Sequence, residues 1–285
     1  MRILVLGDRG MLGSDLCRLL AASHEVTGAD IDDFDLTSFS DCRSIVAERD
    51  PEAVINAAAY TNVDACETDR DRCFQVNAEG VGHLARICRE RGALLIHFST
   101  DYVFDGTKGA PYEEDDPCRP ISAYGSSKHL GECRLLEEGP EFLLVRTAWL
   151  YGRNGKNFVE TILARAKRDK VLRVVDDQVG SPTCTTDLAA AVKILVEGGR
   201  RGIFHVTNRG TCSWYRFAEK ILALSGMKDV DLSPMTSEEL GRPAHRPAWS
   251  VLSTRKFTGA TGKTLRFWQV ALEDYLRSRR EPAGD

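Results

Sequence analysis

The sequence of 285 residues lacks the features that mark several classes of protein. No apolar run approaches the roughly 18 residues that a membrane helix needs, and the first one, residues 3–6, is too short for a signal peptide. The net charge of −4 offers no basic excess to attract nucleic acid. None of the nine cysteines falls in a C-x-x-C pair, which favours a reducing compartment over a disulfide framework. We therefore expect a cytoplasmic protein that binds neither membrane nor nucleic acid.

The sequence also lacks a metal-binding histidine pair. Its six histidines, at positions 24, 83, 97, 129, 205 and 245, include no H-x-x-x-H spacing, and no metal is expected from them. We expect His97 and His205, which fall in predicted strands, to lie in the core or to support a site. The cysteines are expected to be small buried residues. The acidic run Glu67, Asp69 and Asp71 is most simply a solvated helix start.

Short apolar segments alternate with amphipathic ones through the first 150 residues. The predicted strands are residues 3–6, a segment around 26, 53–56, 94–98 and 142–146. The predicted helices are residues 12–22, 78–91 and 123–137. Near-continuous apolar strands separated by helices predict an α/β fold with a parallel sheet covered on both faces.

The pattern loosens after Trp149. Helices are predicted over residues 157–170, 187–197 and 213–225, the last with Ser213 as its N-cap, and strands over 172–175 and 204–206. Residues 234–247 hold three of the ten prolines and are predicted to be a loop. The polar tail beyond Arg277 is predicted to be frayed.

A glycine-rich turn follows the first predicted strand and opens the first helix. Gly7, Gly10 and Gly13 form a G-x-x-G-x-x-G spacing. Glycines in this place let the backbone approach a pyrophosphate, whose charge lies at the helix N-terminus. The turn therefore predicts a dinucleotide site, although a glycine-rich loop of any α/β protein remains an alternative.

Two residues near this turn give opposite indications about the cofactor. Asp30 ends the second strand, where an acid typically binds the ribose hydroxyls of NAD. Arg9 lies inside the turn, where a guanidinium favours the 2'-phosphate of NADP. Both cofactors therefore stay open, and so does the interpretation of Asp30 as a solvated turn carboxylate beside Asp32, Asp33 and Asp35.

Tyr124 and Lys128 form a Y-x-x-x-K pair, which places both side chains on one helix face. An ammonium beside a phenol is expected to lower the pKa of the tyrosine, which then gives a proton to a carbonyl oxygen as hydride arrives. The pair follows the fourth strand, whose end carries Thr100 as a hydrogen-bond partner for the same oxygen. The alternative is a solvated surface pair.

Together these segments resemble the extended short-chain dehydrogenase/reductase family, and within it the reductases of 4-keto sugars carried on dTDP. The likeness runs from residue 1 to about 276, and its segments are residues 7–13, 56–64, 99–104, 124–128 with 146–149, and 177–183. It implies a Rossmann-like doubly wound parallel sheet with a smaller C-terminal substrate-binding lobe. We expect the first domain over residues 1–150, with segments around 176–207 returning to it, and the lobe mainly over 151–285.

The resemblance also implies roles for individual residues. Tyr124 would be the general acid, Lys128 its partner and a ligand of the nicotinamide ribose, and Thr100 and Asp101 would bind the sugar near its keto group. Trp149 would form a wall of the sugar or nucleotide site. The resemblance places the pyrophosphate of the cofactor at the glycine turn, with contacts from Gly7, Arg9, Gly10, Met11, Leu12 and Gly13. It places Asp30 at the ribose, Asp35 and Leu36 at the adenine, and Ala59, Tyr60 and Thr61 along the middle of the cofactor.

The implied reaction reduces the C4 keto group of dTDP-4-dehydro-6-deoxy-L-mannose to dTDP-L-rhamnose with NADPH or NADH. The resemblance further implies a homodimer. Some relatives bind Mg²⁺ through glutamates at a dimer contact, but here Asp15 and Thr186 hold those positions, so a metal is doubtful. Tyr60 and Ser181 are milder departures, where some relatives carry histidine and alanine.

Two other functions stay open. One is a dehydratase or epimerase on the same scaffold, although Tyr102 follows Asp101 where such enzymes place a glutamate for the second acid–base step. The other is a non-catalytic regulatory protein, similar to the regulatory subunit of methionine adenosyltransferase, because fold does not fix function. The complete set of Thr100, Tyr124 and Lys128 favours catalysis.

Overall fold

The computed structural model describes residues 1–279. The strands are β1 (Arg2–Leu6), β2 (Glu25–Ala29), β3 (Ala53–Asn56), β4 (Leu94–Thr100), β5 (Phe142–Thr147), β6 (Leu150–Tyr151), β7 (Val171–Val175), β8 (Val179–Gly180), β9 (Thr183–Cys184), β10 (Gly202–His205), β11 (Cys212–Ser213) and β12 (Asp231–Met235). The helices are α1 (Met11–Leu20), α2 (Phe39–Arg49), α3 (Ala65–Thr68), α4 (Arg70–Phe74), α5 (Gly80–Arg91), α6 (Ala123–Glu138), α7 (Phe158–Arg168), α8 (Thr185–Glu197), α9 (Trp214–Leu224), α10 (Ser237–Leu240), α11 (Arg255–Thr261) and α12 (Trp268–Ser278).

Six parallel strands form the main sheet in the order β10, β5, β4, β3, β1 and β2. The chain runs from β1 outward to β2 and then crosses to β3 on the other side of β1. In such a sheet, ligands bind outside the carboxyl ends of the strands where the winding reverses. The predicted α/β fold with a doubly wound parallel sheet is confirmed, and its reversal lies between β1 and β3.

Alternate residues of β1 serve the two faces of the sheet. Ile3 and Val5 pack with residues of α1, α8 and α11 on one face. Leu4 and Leu6 pack with residues of α2 and α5 on the other. This period of two is that of a strand buried on both sides. Because α8 and β10 come late in the chain, the core of the main sheet includes segments that follow Trp149.

A separate hydrophobic cluster holds the rest of the second half together. It consists of α7, α9 and α12 packed around β7, with Tyr151, Phe217 and Trp268 among its buried residues. Three two-stranded sheets, β11 with β8, β12 with β7 and β6 with β9, tie its loops to one another. The division of the chain at about residue 150 stays a prediction.

Several sequence-based expectations for the second half need correction. Residues 234–247 are not all loop, because Pro234 lies in strand β12. Among residues 1–279 this strand pairs along one side, with β7, and so tolerates a residue without an N–H. The short helix α10 follows, begun by a capping box on Thr236. Helices α2, α11 and α12 were not predicted; α2 buries only Cys42, Ile45 and Val46, too few apolar residues to show a clear period.

Other expectations are confirmed. Ser213 caps α9, its side chain accepting the backbone N–H of Arg216 at 3.2 Å. His97 and His205 are buried, as are six of the nine cysteines; Cys17, Cys118 and Cys133 are half-buried. Most of the tail predicted beyond Arg277, including Arg280, lies outside the described residues. Over residues 1–279, every helix is too short or too polar to cross a bilayer.

Candidate active site

The glycine-rich turn joins β1 to α1 and leaves the start of the helix open. Gly7 has a φ of +78°, and a Cβ there would lie 2.8 Å from the backbone nitrogen of Ala58. A Cβ on Gly13 would overlap the carbonyl oxygen of Gly7, so both positions require glycine. Gly10 precedes α1 without a side-chain cap. The first N–H groups of α1 are therefore available to an anion such as a pyrophosphate.

Asp30 follows β2 and is hydrogen-bonded to the glycine-rich turn. Its Oδ2 accepts the backbone N–H of Arg9 at 3.0 Å, and its Oδ1 accepts that of Ile31 at 2.7 Å. The Arg9 guanidinium pairs with Asp32 at 2.5 Å and with Asp33 at 3.3 Å. A 2'-phosphate at this place would meet these carboxylates, whereas ribose hydroxyls would donate to Asp30.

A cleft of about 540 Å³ extends over the turn and the carboxyl ends of the neighbouring strands. The residues predicted for the cofactor that line it are Gly7, Arg9, Gly10, Asp30, Asp35, Leu36, Ala59 and Tyr60. The Asp35 carboxylate accepts the hydroxyl and the backbone N–H of Thr37, and these bonds lower its pKa. Asp35 thus shapes its own loop, while Leu36 beside it supplies an apolar wall.

Helix α6 begins against the turn that follows β4 and is held there by two caps. Ser122 accepts the backbone N–H of Gly125 at 3.1 Å, and Glu67 accepts that of Ala123 at 2.8 Å. A Cβ on Gly125 would overlap the carbonyl oxygen of Tyr102, so glycine permits this close packing. The expectation that Glu67 is solvated is wrong, because its carboxylate caps a second helix.

Tyr124 and Lys128 lie one turn apart on α6. Lys128 is 3% exposed, with its Nζ 3.3 Å from Nε2 of His97, and burial lowers the pKa of Lys128 to about 8 although Glu132 opposes the shift. Burial raises the pKa of Tyr124, and the neighbouring Asp101 raises it further. The expected lowering of the tyrosine pKa is therefore wrong for this geometry, and Tyr124 keeps its proton at neutral pH.

Thr100 and Asp101 lie at the carboxyl end of β4. The Thr100 hydroxyl donates to Asp101 at 3.0 Å and accepts the backbone N–H of Tyr102 at 3.2 Å. Asp101 is 2% exposed, and burial raises its pKa to about 7 in spite of its hydrogen bonds. The ring of Tyr102 packs edge-on against Tyr124, with 6.0 Å between centroids. A hydroxyl donor, a buried acid and a protonated phenol thus converge here.

An aromatic wall stands opposite α6. Trp149 has a left-handed φ of 49°, a strain of about 1–3 kcal/mol that its contacts maintain. Its indole stacks on Trp214 with 3.5 Å between ring centroids. A Cβ on Gly180 would lie 2.5 Å from the Trp149 ring, so the glycine of segment 177–183 gives the indole its space. The Trp214 Nε1 donates to Gln178 of the same segment at 3.2 Å.

A second cleft of about 530 Å³ brings these groups together. It contains every residue predicted for catalysis or substrate binding, together with the predicted cofactor residues that do not line the first cleft. These residues are Met11, Leu12, Gly13, Thr61, Thr100, Asp101, Tyr124, Lys128 and Trp149. The two clefts share Gly10, Ala57 and Ala59 and are therefore continuous.

Sequence reasoning missed several residues that line the clefts. They are Arg72 in the first cleft and Lys156, Trp214 and Arg246 in the second. Arg246 pairs with Asp64 at 2.9 Å, which ties a residue of the predicted loop 234–247 to the segment after β3. No local spacing links these residues to the glycine turn, because only the tertiary fold brings them near it.

The two positions compared with metal ligands are engaged within the chain. The Asp15 carboxylate accepts the hydroxyls of Thr185 and Thr186 at 2.7 and 3.0 Å and pairs with Arg18 at 2.8 Å. Mg²⁺ prefers several carboxylate, carbonyl or water oxygens, and an adjacent guanidinium opposes a cation. These residues do not fit that ion.

The parallel sheet, the glycine turn and the Tyr-x-x-x-Lys helix facing one continuous cleft define a Rossmann-like protein of the short-chain dehydrogenase/reductase class. The family model described as the RmlD substrate binding domain matches residues 1–280. The chain belongs to this family, which confirms the resemblance drawn from the sequence.

Similar proteins are matched over nearly their whole length. A dTDP-4-dehydrorhamnose reductase of Streptomyces griseus is 42% identical over 96% of this chain and 92% of its own. A probable dTDP-4,6-dihydroxy-2-methyloxan-3-one 4-ketoreductase of Streptomyces antibioticus is 43% identical over 96% and 94%. The crystal structure of a dTDP-4-dehydrorhamnose reductase from Bacillus anthracis in complex with NADP has a TM-score of 0.94 at 36% identity, covering 97% of this chain and 99% of that one.

Proposed function

We propose that this protein reduces the C4 keto group of dTDP-4-dehydro-6-deoxy-L-mannose to dTDP-L-rhamnose with NADPH or NADH. The continuous cleft that joins the glycine turn to Thr100, Tyr124 and Lys128 is the observation that carries the proposal. The names of the two Streptomyces relatives, both reductases of keto sugars on dTDP, support the substrate class.

The cofactor supplies the hydride, and the chain supplies the proton and the positioning. Tyr124 donates its phenolic proton to the C4 oxygen, a role that its raised pKa suits because the group stays protonated at neutral pH. The Lys128 ammonium stabilises the phenolate that remains. The Thr100 hydroxyl turns from Asp101 to the same oxygen and orients it.

The resemblance drawn from the sequence assigns the remaining roles, and the lining of the two clefts supports them. The N–H groups at Met11 and Leu12 would hold the pyrophosphate of the cofactor beside Gly10, whose own N–H donates to the Gly7 carbonyl oxygen at 3.1 Å. Asp30 would bind the adenosine ribose. Ala59, Tyr60 and Thr61 would flank the middle of the cofactor, and Asp35 and Leu36 would lie at the adenine. Asp101 and Trp149 hold the sugar, with the indole offering its face to the ring.

The test is oxidation of NADPH, followed by its ultraviolet absorbance, with the keto sugar generated in the cuvette by the preceding enzymes and the product identified by chromatography. Oxidation that yields dTDP-L-rhamnose supports the proposal. Oxidation only with another dTDP-bound 4-keto sugar would correct the substrate. Cofactor binding without NADPH oxidation in the presence of any of these sugars would favour the regulatory function.

We also propose the boundaries expected from the sequence: a cofactor domain over residues 1–150, rejoined around 176–207, and a substrate lobe mainly over 151–285. A homodimer and a cytoplasmic location belong to the same proposal. Light scattering on the purified protein tests the dimer, and a molar mass near 31.6 kDa, that of one chain, would contradict it.

A further inference from the structure

Two arginines share one carboxylate at the edge of the second cleft. The Arg246 guanidinium pairs with Oδ1 of Asp64 at 2.9 Å, and the Arg242 guanidinium pairs with Oδ2 of the same residue at 3.2 Å. One carboxylate therefore meets two guanidinium groups, which leaves positive charge in excess. Within residues 1–279, Arg246 lines the second cleft and Arg242 does not. The excess charge thus faces the cleft through Arg246.

The Arg246 side chain is held in place and still has hydrogen-bond donors to offer. It is 17% exposed, and its Nη1 donates to the backbone oxygen of Ala244 at 2.9 Å, while its Nη2 pairs with Asp64. Its charge opposes the rise that burial causes in the pKa of Tyr102, so the guanidinium also lies near that phenol. Because a guanidinium has five N–H donors, others remain for Tyr102 and for a ligand in the cleft.

The backbone that carries Arg246 is fixed by its neighbours. A Cβ on Gly106, in the loop after β4, would lie 2.7 Å from the Cβ of Pro247, so the two loops are in close contact. The backbone oxygen of Ala248 accepts the N–H of Val179 at 2.8 Å. A cation fixed in this way loses little conformational freedom when a ligand binds.

The side chains that line the second cleft favour an anion. Over residues 1–279, its cations are Lys128, Lys156 and Arg246, and its carboxylate is Asp101, whose pKa burial raises to about 7. A cleft lined mostly by positive charge attracts anionic ligands. A sugar nucleotide carries its negative charge on a diphosphate, and the planar guanidinium matches phosphate oxygens with two parallel N–H donors.

We propose that Arg246 binds the diphosphate of the sugar nucleotide and that Asp64 aims its guanidinium at the cleft. The proposal rests on the proposed function, which places the sugar at Asp101 and Trp149 and leaves its diphosphate without a partner. The pyrophosphate of the cofactor belongs to the start of α1, so the two diphosphates have separate sites. A simpler role for Arg246 would be to tie its loop to the segment after β3.

Binding of dTDP to the full chain, measured by calorimetry, tests the proposal. Arg246→Gln removes the charge-assisted donors, so the Kd for dTDP should rise about tenfold or more and depend less on salt concentration. Arg246→Lys keeps the charge but loses the planar fork, and its Kd should lie between the two. The Kd for NADPH should stay within about twofold in both variants, because the pyrophosphate of the cofactor lies elsewhere.

Two matched variants separate ligand binding from the tie between segments. Arg242→Gln removes the other guanidinium on Asp64, and its Kd for dTDP should stay within about twofold of the unmodified protein. Asp64→Asn breaks the same ion pair from the other side and keeps the guanidinium of Arg246. Its Kd for dTDP should stay within about threefold, even where thermal denaturation shows the same loss of stability as Arg246→Gln.

The outcomes distinguish this proposal from the proposed function. An equal rise of the dTDP Kd in Arg246→Gln and Asp64→Asn would overturn the diphosphate site and leave only the tie. An equal rise for NADPH and dTDP in Arg246→Gln would overturn it as well. Turnover with a KM that Arg246→Gln does not change would do the same and leave the proposed function intact. Binding of dTDP that depends on Arg246, without turnover of any dTDP-bound 4-keto sugar, would support the site and contradict the proposed function. If Arg246→Gln does not fold, Arg246→Lys against Asp64→Asn decides by the same comparison.

Discussion

The two ends of the continuous cleft are built differently. At the glycine turn, the backbone of one short run forms the pyrophosphate surface, whereas at the sugar end the surface consists of side chains from separate segments. Residues 7–13 offer N–H groups whose position depends on close backbone contacts. Trp149, Gly180, Trp214 and Arg246 come together only through packing of α9 and of loops between short strands. A backbone site tolerates little change, and a side-chain site can adjust by rotation. Substitutions at the two ends should therefore differ in size and in the constant that they affect.

We expect the largest loss of activity at Tyr124, which lies where the two ends of the cleft meet. Tyr124→Phe removes the proton donor but keeps the ring, so kcat should fall about a hundredfold or more while the Kd for NADPH changes little. Steady-state kinetics and fluorescence titration measure the two. Tyr215→Phe, next to the aromatic wall but outside the lining of either cleft, is the matched control. Activity of Tyr124→Phe equal to that of the control would refute the assigned role.

A pair of glycine substitutions compares the two ends directly. In Gly13→Ala the methyl group meets the backbone of Gly7, and we expect the Kd for NADPH to rise about tenfold or more. In Gly180→Ala the methyl group meets the Trp149 indole, which can move, so the KM for the sugar should rise a few-fold with the Kd for NADPH unchanged. If Gly180→Ala weakens NADPH as much as Gly13→Ala, the two ends are not separate.

Asp30→Ala should distinguish the two cofactors. Loss of the acceptor for the ribose hydroxyls should raise the Kd for NADH about tenfold, the usual effect of losing a hydrogen bond to a charged group. The Kd for NADPH should rise less, because removing a carboxylate also relieves repulsion of the 2'-phosphate. Titration with both cofactors tests this, with Glu48→Ala as a control that removes an exposed carboxylate outside the lining of either cleft. Equal losses would mean that Asp30 serves chiefly to hold Arg9 and Ile31.

The difference between the glycine turn and the sugar end also explains which parts of the fold and the site could be predicted from the sequence. The glycine turn, Thr100 and the pair Tyr124 and Lys128 follow strand ends at fixed spacing, so their place in the fold follows from the alternation of strands and helices. The main sheet was predictable because its strands are buried on both faces and therefore nearly continuous in apolar residues.

The contacts between remote segments could not be predicted. Spacing does not indicate that Glu67 caps α6, that His97 meets Lys128, or that Pro234 lies in a strand paired with β7. Each depends on which elements the complete fold places side by side. The raised pKa of Tyr124 is of the same kind, since the burial and the neighbouring Asp101 that raise it arise only once the helix is packed.

The smallest effect is expected at Trp214, a residue known only from the assembled structure. Trp214→Leu removes the stacking partner of Trp149, worth about 1 kcal/mol, and should raise the KM for the sugar roughly three- to fivefold. Trp214→Phe keeps an aromatic face and should stay near the unmodified value. The Kd for NADPH should be the same in both, because the wall stands at the sugar end. A weaker NADPH complex in Trp214→Leu would instead show that the wall also supports the nicotinamide half of the cleft.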